Sequence, residues 1–219
     1  MIVLAFDTAM AACSVAVWRD GATLASTQQL MERGQAEHLV PMIAEAMGAA
    51  GVGFDELDRI AVTVGPGSFT GVRVALATAR GLALAHKLPV IGLTTGQVLA
   101  ATAASRNSGA SAFVSLIDSK RGDVYVERFT ATGAAMETAQ SIPGADVGAW
   151  ISQHCPTGLI GIVGDGAHTA PPDARITILN DVIYPDAAML AARAALCTPG
   201  PSPVPLYVRP PDVTMPRVS

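Results

Sequence analysis

The stretch Ile2–Leu30, IVLAFDTAMAACSVAVWRDGATLASTQQL, decides the fold. Ile2–Phe6 is an apolar run ending in Asp7-Thr8, the pattern of a buried strand. Ser14–Arg19 resumes a strand pattern, Asp20-Gly21 is a strong hairpin signal, and Ala22–Leu30 continues antiparallel. Three antiparallel strands therefore come first. Working outward, Gln35–Ala50 carries Leu39, Met42, Ile43, Ala46, Met47 and Ala50 at helical spacing, with Pro41 early enough to mark or bend its first turns. Ile60–Val64 is a β-branched run, Gly65-Pro66-Gly67-Ser68 turns the chain, and Ser68 is placed to cap a helix reaching Lys87. Val90–Leu93 and a helix to about Ala104 complete the order βββαβαβα, an α/β pattern.

Arg106–Ser111 is small and polar, which sets a boundary between a lobe at 1–106 and a smaller α/β lobe at 107–219. The second opening, VSLIDSKRGDVYVERF, echoes the first: strand, Asp plus hydroxyl residue, short turn, strand. Read as an internal repeat, the chain has two related halves with the second shortened; a chance likeness of two strand-turn-strand units is the plainer alternative. Val147–Gln153 reads as a short helix, Leu159–Val163 as a strand and Asp186–Leu196 as an Ala-rich helix. From Pro199 the tail carries prolines at 199, 201, 203, 205, 210, 211 and 216, so it should run extended, draped on a neighbour.

Composition narrows the function classes. Of 219 residues, 50% are hydrophobic and only 15% charged, which excludes a disordered chain. A net charge of −4 argues against a protein that grips nucleic acid through its own basic field, but leaves open an RNA substrate held by a complex. Cys13, Cys155 and Cys197 are far apart, form no metal spacing, and suit free thiols in a reducing cytoplasm. Met10–Cys13 loosely resembles a lipoprotein cleavage box, but Asp7 interrupts the apolar run, so no signal sequence is read there. The uncharged window Leu88–Ser105 contains Pro89, glycines and hydroxyl residues and makes a poor membrane span.

The segment Gly65–Lys87, GPGSFTGVRVALATARGLALAHK, places a glycine turn at a helix N-terminus, a geometry suited to anions. Asp7, Gly65, Gly67 and Ser68 are thus the candidate phosphate or nucleotide residues. The spacing matches neither GxxxxGK[ST] nor GxGxxG, and a tight structural turn competes with the phosphate reading. In the helix, Gly71, Ala75 and Ala79 recur every fourth residue, a small-residue ridge that lets another helix approach closely. With Val72, Leu76, Leu82 and Leu84 the apolar character spreads around the circumference, as in a helix buried on more than one side. The expected partner interface is Leu39, Met42, Ile43 and Met47 with Gly71, Val72, Ala75, Leu76 and Ala79. Arg73, Arg80 and Lys87 form a basic stripe, either a solvated edge or a contact to partner carboxylates or RNA phosphate.

DTAMAACSVAV at 7–17, GPGSFTGVRVALATARGLA at 65–83, PVIGLTT at 89–95, IDSKRGDVY at 117–125, GDGA at 164–167 and LYVRPPDVTMP at 206–216 resemble the TsaB family. Of these, GPGSFTGVR is the most specific, and together they span essentially the whole chain. The resemblance implies the actin-like ATPase fold (ASKHA, ribonuclease H-like). It also implies a dimerisation subunit in formation of N6-threonylcarbamoyladenosine next to the anticodon of ANN-decoding tRNAs. Implied partners are the transferase TsaD, the ATPase TsaE and, for the chain alone, a second copy; ATP or ADP with magnesium would belong to the assembled complex, with none held tightly here. TsaD carries an H-x-x-x-H metal motif where this chain reads Thr95 to Leu99, and a Leu side chain cannot ligate a metal. His38, His86, His154 and His168 have no ligand spacing either. A cytoplasmic, non-catalytic subunit without metal or catalytic residues is therefore expected. Two alternatives stay open. One is an independent ATP-dependent transferase or metalloprotease using Asp7-Thr8 and Asp118-Ser119, although HExxH is absent and capping or turn roles explain both pairs. The other is a nucleotide-binding module built on Gly65–Gly71.

Overall fold

A computed structural model describes residues 1–106 and 109–208; the prolines at 210, 211 and 216 and most of the 206–216 motif lie outside the described residues. Strands β1 (Ile2–Asp7), β2 (Ala12–Arg19), β3 (Ala22–Leu30), β4 (Arg59–Thr63) and β5 (Val90–Leu93) form one sheet in the order β3-β2-β1-β4-β5. Strands β6 (Ala112–Asp118), β7 (Asp123–Thr130), β8 (Gln140–Pro143), β9 (Ile160–Val163) and β10 (Ile176–Ile178) form a second in the order β8-β7-β6-β9-β10. The two orders match. Each sheet is an antiparallel three-stranded meander followed by two parallel strands. The internal repeat read from the two openings is thus a repeat of whole sheets. The order βββαβαβα holds, with α1 (Gln35–Ala50), α2 (Phe69–His86) and α3 (Thr95–Ser105) at the expected places. The second half is indeed shortened: α4 (Val147–His154) answers α1, but only the turn Ala167–Thr169 stands where α2 has its counterpart. Strands β8 and β10, three or four residues each, escape sequence reading because they are too short for an alternation to show.

Strand β1 shows how the layers are dictated by the side-chain period of two. Leu4 and Phe6 join the core under α1 and α2, whereas Val3 and Ala5 point to the opposite face, against α5 (Ala187–Ala195) through Leu190, Ala191 and Ala194. A strand buried on both faces reads as the continuous apolar run seen in the sequence. In the second sheet, α4 covers one face through Val147, Trp150 and Ile151, and α3 covers the other through Leu99, Ala100 and Ala103. The last helix of each half therefore lies on the sheet of the other. Strands β1–β5 precede residue 106 and β6–β10 follow it, whereas α3 and α5 each pack on the sheet of the other half. Asp186 caps α5 by accepting from the Ala188 N–H, and Ser68 caps α2 by accepting from Gly71.

The described part of the tail, up to residue 208, runs over the first half of its own chain. Leu206 N–H donates to the Val64 carbonyl at 2.8 Å, and the Arg80 guanidinium donates to the Pro203 carbonyl at 2.8 Å. Tyr207 sits beside Phe69 at 5.8 Å between ring centroids, with the Arg73 guanidinium 3.2 Å from the Phe69 centroid. This gives two residues of the basic stripe, Arg73 and Arg80, an intramolecular role.

Candidate functional site: an interlobe cleft and two helix faces

The carboxyl ends of the central strands of both sheets open into one cleft of about 840 Å³. Its walls come from the segments following β1 (Ala9–Ala11), β4 (Pro66–Phe69), β6 (Asp118–Arg121) and β9 (Asp165). Ligands of open α/β sheets bind at strand carboxyl ends. All three tyrosines of the chain, Tyr125, Tyr184 and Tyr207, line it.

Of the four candidate phosphate residues, Gly67 and Ser68 line this cleft, whereas Asp7 and Gly65 are buried. The glycines serve close packing between two loops. A Cβ on Gly67 would stand 2.2 Å from the Ala9 carbonyl oxygen, and one on Gly71 would stand 1.9 Å from that of Thr8. Ser68 N–H donates to the Ala9 carbonyl at 2.7 Å, and Thr8 Oγ1 donates to the Gly71 carbonyl at 2.7 Å. The backbone at this turn is spent on the segment after β1, which is the structural-turn alternative of the sequence reading. Asp7 is sealed beneath. Its Oδ1 accepts from the Thr63 hydroxyl and the Ala9 N–H, while Oδ2 is buried with no partner. Burial pushes its carboxyl up to about 6.

The corresponding aspartate of the second half, Asp118, does face the cleft and is fully engaged. Its Oδ1 accepts from the Lys120 N–H at 2.6 Å and its Oδ2 from Lys120 Nζ at 3.2 Å. Asp165 Oδ1 accepts from the Asp118 N–H and its Oδ2 from Lys120 Nζ, both at 2.9 Å. The fold class implies a magnesium-bound nucleotide at these strand ends. The residues present do not fit that group: one aspartate is closed under a loop, and the other has each oxygen committed within the chain.

At the start of α3, Thr95 and Leu99 are both fully buried, Leu99 within the apolar core under α3. Thr94 caps the helix and its hydroxyl donates to Glu127 Oε2 at 3.1 Å. Glu127 on β7 is 3% exposed, and burial pushes its carboxyl up to about 7, the Thr94 hydroxyl opposing. Glu127 leaves no signal in the sequence, because it occupies a period-two position indistinguishable from a surface glutamate. The histidines serve locally. His86 stacks on Phe54, His154 on Trp150, and the Nδ1 atoms of His38 and His168 lie near the Gly34 and Asp165 carbonyls.

The expected partner interface is corrected by the structure. Leu39, Met42, Ile43, Met47, Val72, Ala75, Leu76 and Ala79 are at most 4% exposed within the first core, and Gly71 is buried against Thr8. Burial of each large apolar side chain is worth about 2 kcal/mol, so none can be surrendered to a partner. The ridge Gly71–Ala75–Ala79 lets α2 approach its own sheet. A second set of small residues, Ala77, Gly81 and Ala85, lies on the exposed side of α2, and Val40, Ala44 and Gly48 on that of α1. Leu84 is 84% exposed and Val40 58%. The signal for these faces was Gly48 and Gly81 themselves. Both are inside helices, where glycine costs up to about 1 kcal/mol against alanine, and a Cβ on either would meet nothing within 4 Å.

Two matching sheets around a strand-end cleft define an α/β protein with the actin-like (ASKHA) fold; the ROK hexokinase from Thermus thermophilus shares this fold, with a TM-score of 0.51 at 14% identity over 90% of this chain and 99% of that one. A family model described as "TsaD: tRNA N6-adenosine threonylcarbamoyltransferase" matches residues 27–162, more than half of the chain. The chain therefore belongs to that family. The tRNA threonylcarbamoyladenosine biosynthesis protein TsaB of Escherichia coli (strain K12) is 40% identical over 125 residues, covering 57% of this chain and 53% of that protein. The match thus spans about half the length of that curated relative. The solved YeaZ from Pseudomonas aeruginosa superposes with a TM-score of 0.80 at 27% identity, over 94% of this chain and 99% of that one. Among the described residues no helix is long and apolar enough to cross a membrane.

Proposed function

We propose that the chain is a non-catalytic, cytoplasmic subunit in the formation of N6-threonylcarbamoyladenosine in tRNA, and that it docks a catalytic subunit of the TsaD type through the outer faces of α1 and α2. The observation that carries the reading is Gly81. A glycine in the middle of a helix with open space above it lowers the stability of the isolated chain and serves nothing inside it. Close approach of a partner helix gives it a use. The bulk of Leu99 and the burial of Thr95 support the non-catalytic part, because no ligand pair for a metal projects from α3. A TsaE-type ATPase, tRNA as substrate of the whole complex, and a homodimer in the absence of the transferase complete the proposal; any ATP or ADP with magnesium would act in that complex.

Two substitutions test the docking face. Gly81→Ala should raise the stability of the isolated chain by about 0.5–1 kcal/mol in thermal or urea unfolding. Gly81→Leu should leave the circular dichroism spectrum unchanged and abolish co-purification with the co-expressed transferase. Undiminished pairing of a folded Gly81→Leu chain would remove α2 from the interface.

A further inference from the structure

We propose that Lys120 is the built-in cation of the interlobe cleft, neutralising the Asp118–Asp165 pair where the fold class would place a divalent metal, so that this chain's cleft works without one. The proposal goes beyond the docking reading and does not depend on it. Four carboxylate oxygens meet at the ends of β6 and β9, and each has a donor from the chain. Lys120 Nζ bridges the two Oδ2 atoms at 3.2 and 2.9 Å, the Lys120 N–H takes Asp118 Oδ1, and the Asp118 N–H takes Asp165 Oδ1. A metal ion needs those same oxygens. Lys120 adopts a left-handed backbone conformation with φ of 60°, uncommon for a residue with a Cβ, and from it the side chain turns back between the two acids. The mutual effects agree: against the opposing cost of burial, the Lys120 N–H and ammonium hold Asp118 below the usual carboxylate range, and Asp165 and Asp118 raise the lysine above its own. His168 lies on the same side, its Nδ1 3.1 Å from the Asp165 carbonyl oxygen.

A small ammonium on a flexible stem suits this task better than a guanidinium, being a compact charge that fits between two oxygens. Its side chain is 67% exposed, while those of Asp118 and Asp165 are 24% and 14% exposed. Removal of the lysine therefore leaves a sheltered acidic pair open to solvent on one side, without disturbing the core. The vacated position should accept a hard cation.

Terbium(III), with luminescence sensitised by Tyr125 in the same cleft, reads this directly in the full chain. The parent chain should show only weak binding that Asp165→Asn does not change. Lys120→Ala and Lys120→Gln should each bind about tenfold more tightly, and adding Asp165→Asn to either should cancel the gain. Parent binding that depends on Asp165 would overturn the proposal, as would two folded lysine variants that gain nothing. Neither result touches the docking face on α2, which is measured by co-purification.

Discussion

Gly71→Ala should lower the midpoint of thermal unfolding by roughly 6–12 °C, since a loss of about 3 kcal/mol in a chain of this size shifts it by that much. The added methyl would stand 1.9 Å from the Thr8 carbonyl oxygen and 3.0 Å from the Thr8 carbonyl carbon. Those are backbone atoms at the end of β1, held by the hydrogen bond from Thr8 Oγ1 to the Gly71 carbonyl, so neither side can yield alone. The helix must lift from the sheet, and Val72, Ala75, Leu76 and Ala79 lose contact with it. Alanine is the better helix former, so a simple propensity argument gives the opposite sign. Circular dichroism melting of Gly71→Ala beside Gly81→Ala separates the two: one helix, the same chemical change, opposite directions. An unchanged midpoint for Gly71→Ala would mean that the approach of α2 to β1 is looser than described.

The second large effect is expected from the two buried carboxyls. Glu127 rises from 4.5 to about 7 and Asp7 from 3.8 to about 6, each because burial disfavours the charged form. A carboxyl whose folded value lies above its unfolded one is most favourable to folding when protonated. Stability from Glu127 is thus fully present below pH 4.5 and lost as pH rises to about 7. For Asp7 the loss runs from 3.8 to about 6. The full shift corresponds to about 3 kcal/mol for either residue. Glu127→Gln keeps an acceptor for the Thr94 hydroxyl without a charge, so it should stabilise the chain by about that amount at pH 8 and by little at pH 4. Urea unfolding at the two pH values reads the difference directly; equal effects at both would assign the change to packing instead of ionisation.

The first half of the fold was legible because its elements announce themselves. The Asp20-Gly21 hairpin, the period-two burial of β1, and the Ser68 cap each leave a local pattern in the sequence. The repeat in the second half was visible in its opening strands, while β8 and β10 were too short to leave one. The site was less legible, for a geometric reason. A helix that carries small residues at 71, 75 and 79 and again at 77, 81 and 85 offers two surfaces of similar character. Spacing alone does not say which one rests on the sheet. Packing against Thr8 chooses the first, so the expected docking residues proved to be core, and the exposed set fell to their neighbours. Likewise Asp7 and Asp118 look alike in sequence, each at a strand end before a hydroxyl residue. Only the depth of the two loops distinguishes a sealed carboxyl from one that faces the cleft.

The exchange of α3 and α5 between the sheets bears on how the polypeptide is made. Val3, Ala5, Ala16, Ala61 and Ile91 all leave the ribosome long before Leu190, Ala191 and Ala194, which cover them. The earliest sheet thus waits, with one flank bare, until α5 has been made. That interval is when a nascent chain is most exposed to chaperones and to aggregation, and it ends only as α5 closes over the strands made first.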